Sequence, residues 1–159
     1  MITLGLSVIE VGEASSAGIM PASMTKIGKT YQDTCKITQD ASDVTEHFEE
    51  GMAAPEVRIK TKKIPKLTFS LMDMDAAALA KYVGGAESAG EWSFDGNEIV
   101  SNVAIRVKPK QGLTFDIPNA DIEAVIDAEM SAKGIFLVNF TVTPLAVDAG
   151  KAIRAKKLD

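Results

Sequence analysis

The chain has 159 residues, a formal net charge of −5, 46% apolar residues and 25% charged residues. That length fits one domain able to bury roughly 70% of the surface its unfolded chain exposes, and the composition excludes disorder. The acidic balance argues against sequence-independent nucleic-acid binding over the whole surface, which needs many cationic phosphate contacts, and a single cysteine excludes an intramolecular disulfide and fits a reducing compartment.

Residues 2–11 are apolar, with Glu10 interrupting and no Lys or Arg ahead of them. That makes a poor signal peptide and a fair strand. No stretch reaches the ~18–20 apolar residues of a membrane span. Residues 12–22 are rich in Ser, Ala and Gly and predict a mobile loop or arm. Cys35 alternates with Ile37, which suits a small buried hydrophobe. A nucleophilic role would need a base close by, and the sole histidine, His47, belongs to another segment.

Residues 43–72 are the most informative run. An acidic strand (Asp43, Glu46, Glu49, Glu50) is followed by a Gly/Pro-bounded loop. A basic strand follows (Arg58, Lys60, Lys62, Lys63, Lys66). Val57, Ile59 and Thr61 alternate with Arg58, Lys60 and Lys62, the pattern of a half-buried strand. Leu67, Phe69 and Leu71 repeat it. Next comes one helix, at about 74–83. Asp73 or Asp75 can cap it, residues 76–81 are strong helix formers, and Gly84-Gly85 ends it.

Beyond the helix, Asp95-Gly96 predicts a hairpin turn between Trp92/Phe94 and Ile99/Val100. Val103, Ile105 and Val107 alternate with Ala104, Arg106 and Lys108. Leu113, Phe115 and Ile117 form a further strand that Pro118 stops. Residues 119–134 fit a helical stripe and strict alternation equally well. A strand is favoured because the long run 135–147 needs an antiparallel neighbour, with Lys133-Gly134 as the turn. The total is roughly ten strands and one helix, a mainly β chain expected to form two packed antiparallel sheets, as a sandwich or barrel. An extended loop is expected at about 44–59, and 1–159 reads as a single domain.

No catalytic constellation emerges. One His and one Cys exclude paired-His and Cys-x-x-Cys metal motifs, and no phosphate-binding glycine loop is present. Asp73-x-Asp75 can be a Mg²⁺ pair, but helix capping is the simpler role. His47, beside Glu46 and Glu49, suits an exposed strand histidine or a pH-sensitive contact. The aromatic residues suit core packing. The basic strand fits a solvated face, a phosphate-binding strip, or a surface that docks on the acidic strand of a neighbouring copy. The expectation is a non-enzyme with no cofactor and no metal.

The order Asp33-Thr34-Cys35, Glu46-His47-Phe48-Glu49-Glu50, Lys62-Lys63-Ile64-Pro65-Lys66-Leu67-Thr68-Phe69-Ser70-Leu71-Met72-Asp73, then a short helix ending at Gly84-Gly85, resembles the tail tube proteins of tailed bacteriophages. Ile117-Pro118-Asn119-Ala120, Lys133-Gly134-Ile135-Phe136-Leu137-Val138 and Thr143-Pro144-Leu145 resemble the end of the same family. The likeness covers most of residues 30–147 and lies in order and texture, not in a signature motif.

The resemblance implies two packed antiparallel sheets flanked by one helix, in subunits that close into hexameric rings by continuing sheets between protomers. The rings stack into a tube for DNA and the tape-measure protein. The long early loop, matching residues 46–57, and an N-terminal arm make contacts between rings. An acidic lumen lets DNA pass without sequence-specific binding. The implied interface residues are Glu46, His47, Phe48, Glu49, Glu50, Met52, Arg58, Lys60 and Lys62, assisted by Ile2, Leu4 and Leu6. Implied partners are the chain itself, the tape-measure protein, passing DNA and, in a contractile tail, a sheath, with no membrane. The implied location is the virion tail, reached through assembly in the host cytoplasm. Type VI secretion tubes and other contractile injection systems share this fold and stay open as alternatives. So does a lipocalin-like, ligand-binding barrel.

Overall fold

The computed structural model describes residues 1–159. Its elements in chain order are β1 (Val8–Glu13), β2 (Thr25–Lys26), β3 (Lys36–Thr38), β4 (Asp43–His47), β5 (Val57–Thr61), β6 (Lys66–Leu71), α1 (Ala76–Tyr82), β7 (Ala86–Ser88), β8 (Glu91–Ser93), β9 (Asn102–Lys108), β10 (Leu113–Ala128), β11 (Phe136–Pro144) and β12 (Arg154–Lys157). The chain is mainly β, antiparallel throughout, with one helix.

Eight strands form one continuous sheet in the order β2-β1-β9-β10-β11-β6-β3, with β12 added beside β10. Strand β10 belongs to both layers of the sandwich. Its first half pairs with β9 and β12, and its second half pairs with β11. Between Ile117 and Ala120 the register with β9 shifts. A bulge of this kind bends a strand and raises its twist. Pro118, which has no N–H for the ladder, sits within the shift, where proline is tolerated. The strand therefore bends through Pro118 instead of stopping there, and residues 120–128 continue it as strand.

The flanks of the sheet are laced together. Ile27 N–H donates to Ile9 O at 3.0 Å, then Met72 N–H to Lys29 O at 3.0 Å and Tyr31 N–H to Ser70 O at 2.8 Å. The segment after β2 thus leaves β1 and joins β6, so the sheet curls back on itself.

Alternation fills the interior. Ile9 and Val11, Val103, Ile105 and Val107, Ile117 and Ile122, Val138, Phe140 and Val142, and Leu67, Phe69 and Leu71 form one apolar cluster. Phe69 and Phe140 are opposite each other across β6 and β11 and stack with centroids 5.0 Å apart. Such a pair contributes ~0.5–1.5 kcal/mol beyond its burial. Tyr82, at the end of α1, meets Phe140 edge-on at 5.4 Å and so docks the helix over the core. Asp75 caps that helix, accepting from Ala78 N–H at 2.8 Å, and Gly84 closes it at φ +114°.

Two further expectations need correction. Asp95-Gly96 does not join strands. The hairpin is β7–β8, turning at Ala89-Gly90, while Asp95 accepts from Asn97 N–H at 2.9 Å in a local turn. Residues 14–22 do not stand off as an arm but lie against the body: Ser15 N–H donates to Pro118 O, Asp148 N–H to Ser16 O, and the Arg154 guanidinium to Gly18 O.

Candidate functional site

The stretch expected as an extended loop at 44–59 is a paired hairpin. Strands β4 and β5 match Asp43 with Thr61, Val44 with Lys60, Thr45 with Ile59, Glu46 with Arg58 and His47 with Val57. Only the tip between them is irregular. Glu56 N–H donates to His47 O at 2.7 Å, Met52 N–H donates to Glu49 O at 3.0 Å, and Gly51 turns the chain at φ +81°. At the root, the Gln39 side-chain amide donates to Lys63 O at 2.8 Å.

Directly opposite residues of an antiparallel pair share a face. One face of the hairpin thus carries Asp43, Thr45, His47, Val57, Ile59 and Thr61, with the acidic residue at its root, and the other carries Val44, Glu46, Arg58 and Lys60. All ten strand residues are exposed. Half-burial was expected of β5, yet Val57 and Ile59 are 49% and 53% exposed. The period-two pattern is real, but no other part of the chain covers the apolar face. Phe48 and Met52, at the tip, are more than half exposed as well.

The acidic and basic strands meet within one chain. Arg58 Nε donates to Glu46 Oε1 at 3.0 Å, and Lys63 Nζ lies 3.4 Å from Asp43 Oδ1. Each pair is exposed and contributes only ~0.2–1 kcal/mol, enough to hold the hairpin's register and little more. Among the named interface residues, Glu46 and Arg58 therefore have a partner within the chain. Lys60 stands opposite Val44, and Glu49, Glu50 and Lys62 are exposed.

Ile2, Leu4 and Leu6 lie elsewhere. Leu4 bridges Gln111 in both directions, at 2.9 and 3.3 Å, and Thr3 Oγ1 accepts from Leu113 N–H. This lacing ties the N-terminal run to the β9–β10 turn. Ile2 and Leu4 leave their side chains in solvent, while Leu6 packs against the core. Asp73 and Asp75 have separate duties: Asp73 accepts from Lys29 N–H at 2.8 Å, and Asp75 caps the helix.

Three features escape sequence reasoning. The first is an open groove of about 690 Å³ between the N-terminal run, residues 30–37 and the β9–β10 turn. Leu6, Cys35, Ile37, Val107, Leu113 and Phe115 supply its apolar lining, and Asp33 and Lys110 stand among its polar residues. Burial pushes the Cys35 thiol above its ordinary pKa. The second is a free strand edge. Ile122 N–H still reaches Ser101 O at 3.2 Å, but β9 ends there, and from Glu123 to Ala128 that flank of β10 has no paired strand. The third is a charge row across five strands, Lys26–Glu10–Arg106–Asp116–Arg154, alternating in sign at every step. The hydrogen bond that Arg106 donates to the Asp116 carboxylate holds its guanidinium above its ordinary pKa, against the opposing effect of desolvation. All three features depend on long-range register, which local patterns do not carry.

No helix is long and apolar enough to cross a membrane. No known family model matches the sequence, and no curated protein matches it significantly.

Proposed function

We propose that this chain is a structural subunit of a bacteriophage tail tube, whose copies close into hexameric rings that stack into a conduit for DNA. The observation that carries this reading is the β4–β5 hairpin. It exposes Val57 and Ile59 on one face and Val44 on the other, with Phe48 and Met52 at its tip. An apolar surface held out by a paired scaffold has no use in a solitary chain and marks an interaction site. The unpaired flank of β10 adds a second contact, since a bare strand edge is a template for another strand. The order and texture of residues 30–147 point the same way. The role is passive: a rigid wall past which DNA and a tape-measure protein travel, with no catalytic residue, cofactor or metal assigned.

The test is assembly of purified protein, followed by sedimentation velocity and negative-stain microscopy. Wild-type chain at high concentration is expected to give rings and hollow tubes. Val57→Ser/Ile59→Ser is expected to weaken each junction by roughly 10- to 100-fold, from the loss of two half-exposed apolar side chains at about 1 kcal/mol or more each. Reversing Arg58, Lys60 and Lys62 to Glu is expected to block tubes while the monomer stays folded. A wild-type chain that stays monomeric at every concentration would overturn the proposal, and tubes unaffected by both variants would overturn the hairpin's part in it.

A further inference from the structure

We infer that the apolar groove beside Cys35 receives the hairpin tip of a second copy. This rests on the reading of the chain as a self-assembling subunit and adds to it the receptacle for its most exposed element. The groove, at about 690 Å³, is the size of a pocket that takes a few large side chains. The tip offers Phe48 and Met52, 54% and 58% exposed, with Glu49 and Glu50 between them.

Charge matches as well. Lys110 lines the groove. Lys157 stands opposite Leu113, on the same side of the sheet as that lining residue, and is exposed. Two lysines thus meet two glutamates, with Asp33 as the one opposing charge among the lining residues. The tip cannot serve its own groove in this conformation. The hairpin is rooted beside β3 at Gln39 and Lys63, and its five-residue strands carry the tip about 17 Å outward. Knob and groove are different surfaces of the same chain, so a union that is not a reciprocal two-fold exchange is head-to-tail and propagates. That is the geometry a stack requires.

Cys35, the sole native cysteine, provides the test. Met52→Cys, with Phe48→Cys to sample a second register, is assembled and oxidised with copper phenanthroline. The result expected is a ladder of covalent dimers and higher species on a non-reducing gel, cleared by dithiothreitol and abolished by adding Cys35→Ser. Alkylation of Cys35 in the wild-type chain is expected to slow at least tenfold on assembly. Assemblies that form without either effect would overturn the docking while leaving self-assembly in place. A ladder that survives Cys35→Ser would overturn it too, by pointing to tip-on-tip contact. An intrachain bond, seen as a faster monomer band, would mean the chain fills its own groove. A chain that never assembles would overturn this inference and the tube reading together.

Discussion

Arg106 on β9 and Asp116 on β10 stand directly opposite each other, with Arg106 Nε donating to Asp116 Oδ1 at 2.7 Å. The Asp116 side chain is 7% exposed, and Lys156, at 3.8 Å, is its other cation. Glu10 lies on the far side of Arg106 and takes Lys108 at 3.1 Å. Each charge in the row is thus flanked in register by its opposite, and the Lys108–Glu10 and Lys156–Asp116 pairs fasten β1 and β12 to the middle of the sheet.

Arg106→Met tests this fastening. It leaves a nearly buried carboxylate with only Lys156, at 3.8 Å, and Arg154, opposite it in register, as neighbouring cations. The expected loss in urea denaturation is about 2–4 kcal/mol, just below the cost of breaking a fully buried pair, because Arg106 is partly exposed and Lys156 remains. The double variant Arg106→Met/Asp116→Leu is expected to recover most of that loss, since it removes the stranded charge as well as its partner. A double variant no more stable than the single would show that the pair acts through something other than charge compensation.

Gly18 tests how the segment before β2 is held. It has φ +83°, and a Cβ there would run into the carbonyl oxygen of Ala149. Gly51, at the hairpin tip, has nearly the same φ of +81° but nothing near its Cβ direction. Gly51→Ala should therefore cost only the left-handed backbone penalty of ~1–2 kcal/mol. Gly18→Ala should cost about 1–3 kcal/mol more, from crowding against fixed backbone. Hydrogen exchange should follow: the Asp148 amide, which donates to Ser16 O, should lose protection in Gly18→Ala and keep it in Gly51→Ala. Equal costs at the two glycines would mean that residues 14–22 are not anchored by the C-terminal segment.

What the sequence discloses here follows the range of its forces. Leu67/Phe69/Leu71 and Val103/Ile105/Val107 announce buried strands because alternation is local and the core confirms it. Asp75 and Gly84 bound the helix because caps act within one turn. Val57 and Ile59 have the same alternation, yet stay exposed. A period-two pattern tells which face is apolar, but not whether anything covers it. Pro118 looks like a stop, since its effect on its own ladder is local. The bend that tolerates it comes from pairing with β9, β12 and β11 together. The groove at Cys35 joins residues 3–6, 30–37 and 107–115, three segments that only the closed sheet brings together. The interface reading of Glu46 and Arg58 also missed that each is the other's partner, a fact of register rather than of charge.

Cys35 lines the groove and so reports on its burial in the isolated chain, before any assembly. Its thiol is partly buried among apolar side chains, and burial disfavours the thiolate, so the folded-state pKa lies above that of the unfolded chain. At about pH 8, where a free cysteine is partly ionised, the native thiol should react with iodoacetamide roughly tenfold or more slowly than the same thiol in urea, and its rate-versus-pH curve should be displaced to the alkaline side. The same shift fixes a sign for stability. The protonated thiol is the form the fold favours, so its contribution is complete below the unfolded-state pKa and is lost as pH rises through the folded-state value. Denaturation midpoints of the wild-type chain should therefore fall in that alkaline window, and those of Cys35→Ala should fall less. Coincident alkylation profiles for native and unfolded protein would show that the thiol stands in water, and the apolar groove would then lose its floor.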